Sequence, residues 1–89
     1  MINIQYSSRY LSSRKKFLSN NLDLLNKTIK AISLFVKNPR HPSLNLEKLK
    51  GSYIWTIRID KGNRMFFSWI DKATVRFLDI GKHDKYRKY

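Results

Sequence analysis

The spacing of apolar residues changes at Gly51: before it they recur mostly at helical intervals, and after it they alternate. Ile2 and Ile4 alternate with Asn3 and Gln5, which predicts a short first strand. Ser7 or Ser8 can then cap a helix running to about Asn20, with Tyr10, Leu11, Phe17 and Leu18 on one stripe. The string "SNNLD" interrupts it. Leu25, Ile29, Ile32 and Val36 follow at i, i+4, i+7 and i+11, the pattern of a second helix with one apolar face, and the two prolines of "KNPRHP" end it. The expected result is an antiparallel helix pair whose stripes enter the core and whose lysines stay in water. A basic amphipathic helix can instead lie on a membrane, but the strands that follow need these stripes to cover them.

Beyond Gly51, "YIWTIRIDKGNRMFFSWIDKATVRFLDI" predicts three strands over residues 53–59, 63–70 and 74–80. The fold class is therefore α+β: an N-terminal strand, an antiparallel helix pair, then a three-strand antiparallel meander with both helices on one sheet face. Side chains alternate across a strand, so Trp55, Ile57 and Ile59 share one face and Ile54, Thr56 and Arg58 the other. A first hairpin loop of Asp60, Lys61 and Gly62, with glycine in the left-handed bulge position, sets Ile57 opposite Met65 and Trp55 opposite Phe67. The same register sets Arg58 opposite Arg64. Like charges across a strand pair destabilise a sheet, unless an anion such as phosphate lies between the two guanidinium forks. Alternatively both arginines splay into water or pair with a carboxylate such as Glu47. A Lys72-Ala73 loop for the second hairpin sends Leu78 and Ile80 into the core with Phe67 and Met65. That leaves Phe66, Ile70, Val75 and Phe77 on the open face, as a docking patch for a partner or a surface covered by a chain terminus.

Composition narrows the partner. Residues 1–89 are expected to form one domain, with enough apolar (42%) and aromatic (13%) residues for a packed interior. Nineteen Lys and Arg against six Asp and Glu give a formal charge of +13, which calls for an anionic partner: nucleic acid, an anionic membrane or an acidic protein. There is no cysteine, which excludes disulfides, thiolate metal sites and thiol nucleophiles, and two histidines with six scattered acids do not suggest a metal site. The longest near-apolar stretch, Ala31 to Val36, is too short to span a bilayer, and "MINIQYSSRY" lacks the apolar core of a signal peptide, so a cytoplasmic location is expected.

Taken alone, the closing "IGKHDKYRKY" is a basic tail of the kind that usually frays in solvent. With "NPRHP", "LEKLKG", "YIWTIRI", "NRMFF" and "LDIGKHDKY" in this order and spacing, however, the chain resembles the RelE/ParE superfamily of toxins from type II toxin-antitoxin systems over essentially its whole length. The resemblance implies the fold just derived, no cofactor, and neutralisation by an antitoxin encoded beside the toxin. RelE-like members cut messenger RNA, mostly on the ribosome, whereas ParE-like members poison DNA gyrase and lack the catalytic set. Arg64 matches the basic residue that opens the strand after the hairpin, Arg58 a second strand cation, and His83 the residue after the last glycine. Tyr86 and Tyr89 both qualify as the aromatic beyond it, since Tyr86 is three residues past His83 where some members use four, and Arg87 holds that place. Glu47 lies where some members carry a catalytic carboxylate and Lys48 and Lys50 where they carry cations, with Lys82, Lys85 and Arg87 as further RNA-gripping cations. His41 is read as shaping its loop. The expected activity is a metal-independent endoribonuclease with messenger RNA, the ribosome and an acidic antitoxin segment as partners. That segment would cross the arginine face and cover Phe66, Ile70, Val75 and Phe77. The alternatives are a gyrase inhibitor and a non-catalytic nucleic-acid-binding module.

Overall fold

The computed structural model describes residues 1–82. Its elements are β1 (Asn3–Tyr6), α1 (Ser8–Phe17), α2 (Leu22–Lys37), a 3₁₀ turn (Pro42–Leu44), β2 (Glu47–Lys48), β3 (Trp55–Arg58), β4 (Asn63–Asp71) and β5 (Thr74–Lys82). The five strands form one sheet in the order β1-β5-β4-β3-β2, with β1 parallel to β5 and every other pair antiparallel. Both helices pack on one face, as the change of period predicts. The strand β2 and the parallel seat of β1 are additions, because a two-residue strand leaves no periodicity to read.

Each helix begins on a side-chain oxygen. Ser7 Oγ accepts from the Tyr10 amide at 3.0 Å and Asn21 Oδ1 from the Leu24 amide at 3.0 Å, satisfying donors that the first helical turn leaves open. Ser7 also ties α1 to the sheet, its amide donating to Phe77 O and its hydroxyl to Leu78 O. The first helix stops at Phe17, short of Asn20, whose left-handed backbone (φ 57) turns the chain into α2.

The buried side of α2 is Leu24, Thr28, Ala31 and Phe35, one residue out of phase with the stripe expected from the larger side chains. Thr28 can enter the core because its hydroxyl donates to Leu24 O at 2.8 Å and leaves no orphaned polar group. Ile29 is left 54% exposed. At the centre, Phe35 meets Phe67 and Tyr10 meets Phe77 edge-on at centroid separations of 5.0 and 5.2 Å.

The first hairpin has the predicted register, Trp55 facing Phe67, Ile57 facing Met65 and Arg58 facing Arg64. Its loop is built differently. Gly62 is not left-handed; instead the Asp60 carboxylate gathers the turn, accepting from the Gly62 amide at 3.0 Å and Asn63 Nδ2 at 2.8 Å. The strand before it starts at Trp55, with Tyr53 outside the ladder and exposed.

The second hairpin overturns the proposed docking patch. Its turn is Lys72-Ala73, since Asp71 pairs with Thr74, and at the far end Met65 pairs with Ile80 and Phe66 with Asp79. Between these ends the ladder slips by one: Phe67 faces Phe77 and Trp69 faces Val75, with Leu78 extra on β5 and Ile70 extra on β4. The two bulges cancel outside this stretch and reverse parity within it. Val75 and Phe77 therefore lie fully buried in the main core, and Leu78 packs instead with Leu49, Ile54 and Phe66 in a small cluster. Phe66 is also fully buried, and of the four expected patch residues only Ile70 is exposed.

Two outcomes follow from this packing. Phe77→Ala should cost about 3–5 kcal/mol in urea denaturation, against less than about 1 kcal/mol for Ile70→Ala; comparable small losses would contradict the bulged register. Burial raises the Tyr10 phenol above its ordinary value of 10.0, opposed by the charge and hydrogen bond of Arg14. The native state thus holds this proton more tightly than the unfolded chain. Its contribution is complete below the unfolded pKa of about 10 and is lost as pH rises through the raised native value. Between roughly pH 9 and 11 the parent should lose more stability than Tyr10→Phe, measured as the shift in urea midpoint.

Candidate functional site

Arg58 and Arg64 are directly opposed in the β3–β4 ladder, and alternation with buried Ile57 and Met65 directs both away from the helices. Each has found a carbonyl. Arg64 Nη1 donates to Asn45 O at 3.2 Å and lies 3.7 Å from Glu47 Oε2, whereas Arg58 Nε donates to Asp60 O at 3.3 Å. These acceptors relieve the repulsion that the register creates. The Arg64 side chain is only 12% exposed and Glu47 48%, so the ion pair contributes at most about 1 kcal/mol. It sets where the guanidinium rests more than it stabilises the fold.

Three backbone features bring these groups together. The strand β2 pairs Glu47 with Thr56, two residues from Arg58, on the same side of the sheet. Asn45 closes the 3₁₀ turn in the left-handed region (φ 47), a conformation asparagine adopts more readily than most residues, and offers its carbonyl to Arg64. On the other flank, Gly81 of β5 pairs with Arg64 and presents no side chain to it, while Lys82 pairs with Asn63. The sheet thus sets the end of β5 beside Arg64. His83, Lys85, Tyr86, Arg87 and Tyr89 lie outside the described residues.

Other expected site residues are less convergent. Lys48 faces Trp55, so the pleat sets it on the opposite side of the sheet from Glu47, and Lys50 is exposed in the loop that follows. His41 caps the 3₁₀ turn, its Nδ1 accepting from the Ser43 amide at 3.2 Å. Asn45 and Asp60 escaped the sequence reading, because both act through backbone carbonyls, which side-chain chemistry does not reveal. Among the described residues no three His, Cys, Asp or Glu side chains gather as a metal site, and no helix is long and apolar enough to cross a membrane.

Besides Ile70, exposed apolar residues occur at the helix pair, Leu11 and Ile29 among them. Leu11, Leu18, Leu25, Ile29 and Ile32 line a groove of about 490 Å³ between α1 and α2, with Arg14 and Lys15 also lining it. Leu25, Ile29 and Ile32 of the expected second-helix stripe therefore face this groove.

No protein-family model and no curated protein matches the sequence. Solved structures do. The Escherichia coli DinJ-YafQ toxin-antitoxin complex contains a chain with a TM-score of 0.76 at 19% identity, covering 94% of each chain. The YoeB-YefM complex from Staphylococcus aureus matches with a TM-score of 0.72 at 21% identity over 93% of this chain and 98% of the other. The YoeB/ParE toxin from Agrobacterium tumefaciens gives 0.75 at 14% identity over 92% and 99%. At these identities the likeness is one of architecture: the chain has the RelE-like toxin fold of the YafQ, YoeB and ParE-like structures.

Proposed function

We propose that the chain is the toxin of a type II toxin-antitoxin system and acts as an endoribonuclease on messenger RNA, on the ribosome and without a metal ion. The observation that carries this reading is the paired Arg58 and Arg64 on the open face, with Glu47 3.7 Å from Arg64 and the end of β5 alongside. Cleavage of RNA requires the 2′-hydroxyl to lose a proton as it attacks the adjacent phosphorus and the leaving 5′-oxygen to gain one. Negative charge grows on the phosphoryl oxygens meanwhile. Arg58 and Arg64 would stabilise it, the contribution usually largest in such sites, aided by Lys50, while Lys48 and Lys82, which alternation sets on the opposite side of the sheet, would hold RNA only beyond the reacting phosphate.

The proton transfers belong, in this reading, to His83, whose ordinary pKa of about 6.5 suits either direction near neutrality. That role rests on the resemblance and on the position of His83 immediately after Lys82. Tyr86 or Tyr89 would orient a base, and the tail cations Lys85 and Arg87 would hold the strand. Glu47 is the competing base. Its single 3.7 Å contact with Arg64 supports a second duty, release of the guanidinium to an incoming phosphate, whose two non-bridging oxygens can accept from the guanidinium as a fork. The antitoxin expected from the resemblance has its support in two toxin complexes, DinJ-YafQ and YoeB-YefM, and in the charge of +13, which favours an acidic segment.

In a translating extract, the products should carry 2′,3′-cyclic phosphate and 5′-hydroxyl ends. His83→Ala and Arg64→Ala should each lose roughly 10²-fold or more in rate. Primer extension on a model message measures this. An intact message while gyrase supercoiling stops would replace the nuclease reading with that of a gyrase inhibitor. Glu47→Gln separates two duties for the carboxylate: a loss near 10²-fold assigns it the proton, and an unchanged rate leaves it as the resting partner of Arg64.

A further inference from the structure

A cavity of about 390 Å³ lies where α2, the 3₁₀ turn and the β3–β4 loop meet. Its floor is apolar, formed by Ala31, Leu34, Leu44 and Ile59, of which all but Leu34 are buried. Around it stand Lys27, Lys30, Arg58 and Lys61. The one acid in the lining, Asp60, turns Oδ1 to the Gly62 amide and Asn63 Nδ2, and so serves the hairpin turn. Lys27 is drawn to Asp23 at 3.1 Å. Among the described residues, Lys30 and Lys61 have no carboxylate within ion-pair distance. Two cations outside any ion pair among the described residues thus border an apolar floor, in a volume within the ordinary range of about 300–1,000 Å³ for small-ligand sites.

An apolar floor beneath a cationic border suits a nucleotide, which carries a flat base and an anionic phosphate on one ribose. Arg58 connects this cavity to the face described above, since it lines the cavity and stands opposite Arg64 in the ladder. We infer that the cavity binds one nucleotide of single-stranded RNA, adjacent to the nucleotide whose phosphate meets Arg64. Its phosphate lies between Lys30, Lys61 and Arg58, and its base covers Leu34 and Ile59. The inference rests on RNA being the substrate. An acidic peptide would satisfy the cations alone; the shared Arg58 and the single-nucleotide volume favour the RNA strand.

The test uses an uncleavable 2′-O-methyl RNA hexanucleotide and fluorescence anisotropy at about 150 mM salt, where diffuse electrostatic binding is weak. The double variant Lys30→Ala/Lys61→Ala should bind about 10-fold or more weakly, and the control Lys16→Ala/Lys72→Ala, with the same loss of charge elsewhere, less than about 2-fold. One abasic position in the RNA should weaken binding to the parent chain and not to the Lys30/Lys61 variant, a coupling that mere unfolding or charge loss does not produce. Equal losses in the two double variants, or no coupling to the base, overturn the subsite. So does loss of polyglutamate binding in the Lys30/Lys61 variant with RNA affinity kept, which would assign the cavity to a protein partner. Cleavage of messenger RNA together with any of these results removes the subsite alone, whereas failure of the parent chain to bind or cut RNA removes the nuclease reading beneath it.

Discussion

The β4–β5 ladder is the constraint on which the rest of the molecule depends. Its ends pair as a two-residue turn dictates, but one extra residue on each strand displaces the middle, so that Val75 and Phe77 join Phe67 and Trp69 under the helices. Without that slip the aromatic centre would lose Phe77 and the open face would carry its ring in water, a cost of about 1.5–3 kcal/mol. The matched ends matter equally, because they fix Gly81 beside Arg64 and Lys82 beside Asn63. One pair of compensating bulges thus builds the core and aims the candidate site. Phe77 and Leu78 accept the Ser7 hydrogen bonds that start α1, so the same stretch also anchors the first helix.

Electrostatics follows from how few acids there are and where they are used. Asp23 pairs with Lys27, Glu47 with Arg64 and Asp79 with Arg9, while Asp60 and Asp71 hold the two hairpin turns through amide hydrogen bonds. Each acid among the described residues is therefore committed to local structure. The excess positive charge stays uncompensated by the fold and lies open to an anionic strand or an acidic protein segment. At Arg64 the arrangement is self-limiting, since a carboxylate and a carbonyl hold the guanidinium close to where a phosphate would bind.

The helix pair divides its apolar residues between two tasks. Leu24, Thr28, Ala31 and Phe35 serve the core, and Leu25, Ile29 and Ile32 border the groove against α1. A helix whose apolar arc is wider than its buried arc leaves a surface suited to a partner. That surface is on the opposite side of the sheet from the arginines, so a partner seated there and a strand seated on Arg58 and Arg64 would meet different faces of the molecule.

Much of this was legible in the chain itself. Strict alternation across Trp55, Ile57 and Ile59 determined the first hairpin register and with it the Arg58–Arg64 opposition, because one slipped residue would have buried charge. Capping serines, paired prolines and the change of period at Gly51 determined the element order. Tertiary structure alone decided the rest. Bulges leave no mark in alternation when "RMFFSW" and "TVRFLDI" offer apolar residues to both faces, so only the aromatic packing against Phe35 and Tyr10 selects Val75 and Phe77 for the interior. Phase along α2 was equally hidden, since apolar side chains span more than one stripe and the hydroxyl of Thr28 is silenced by its own backbone. The grip of Asn45 and Asp60 on the two arginines runs through carbonyls every residue possesses, and only the folded path of the chain decides which of them a guanidinium can reach.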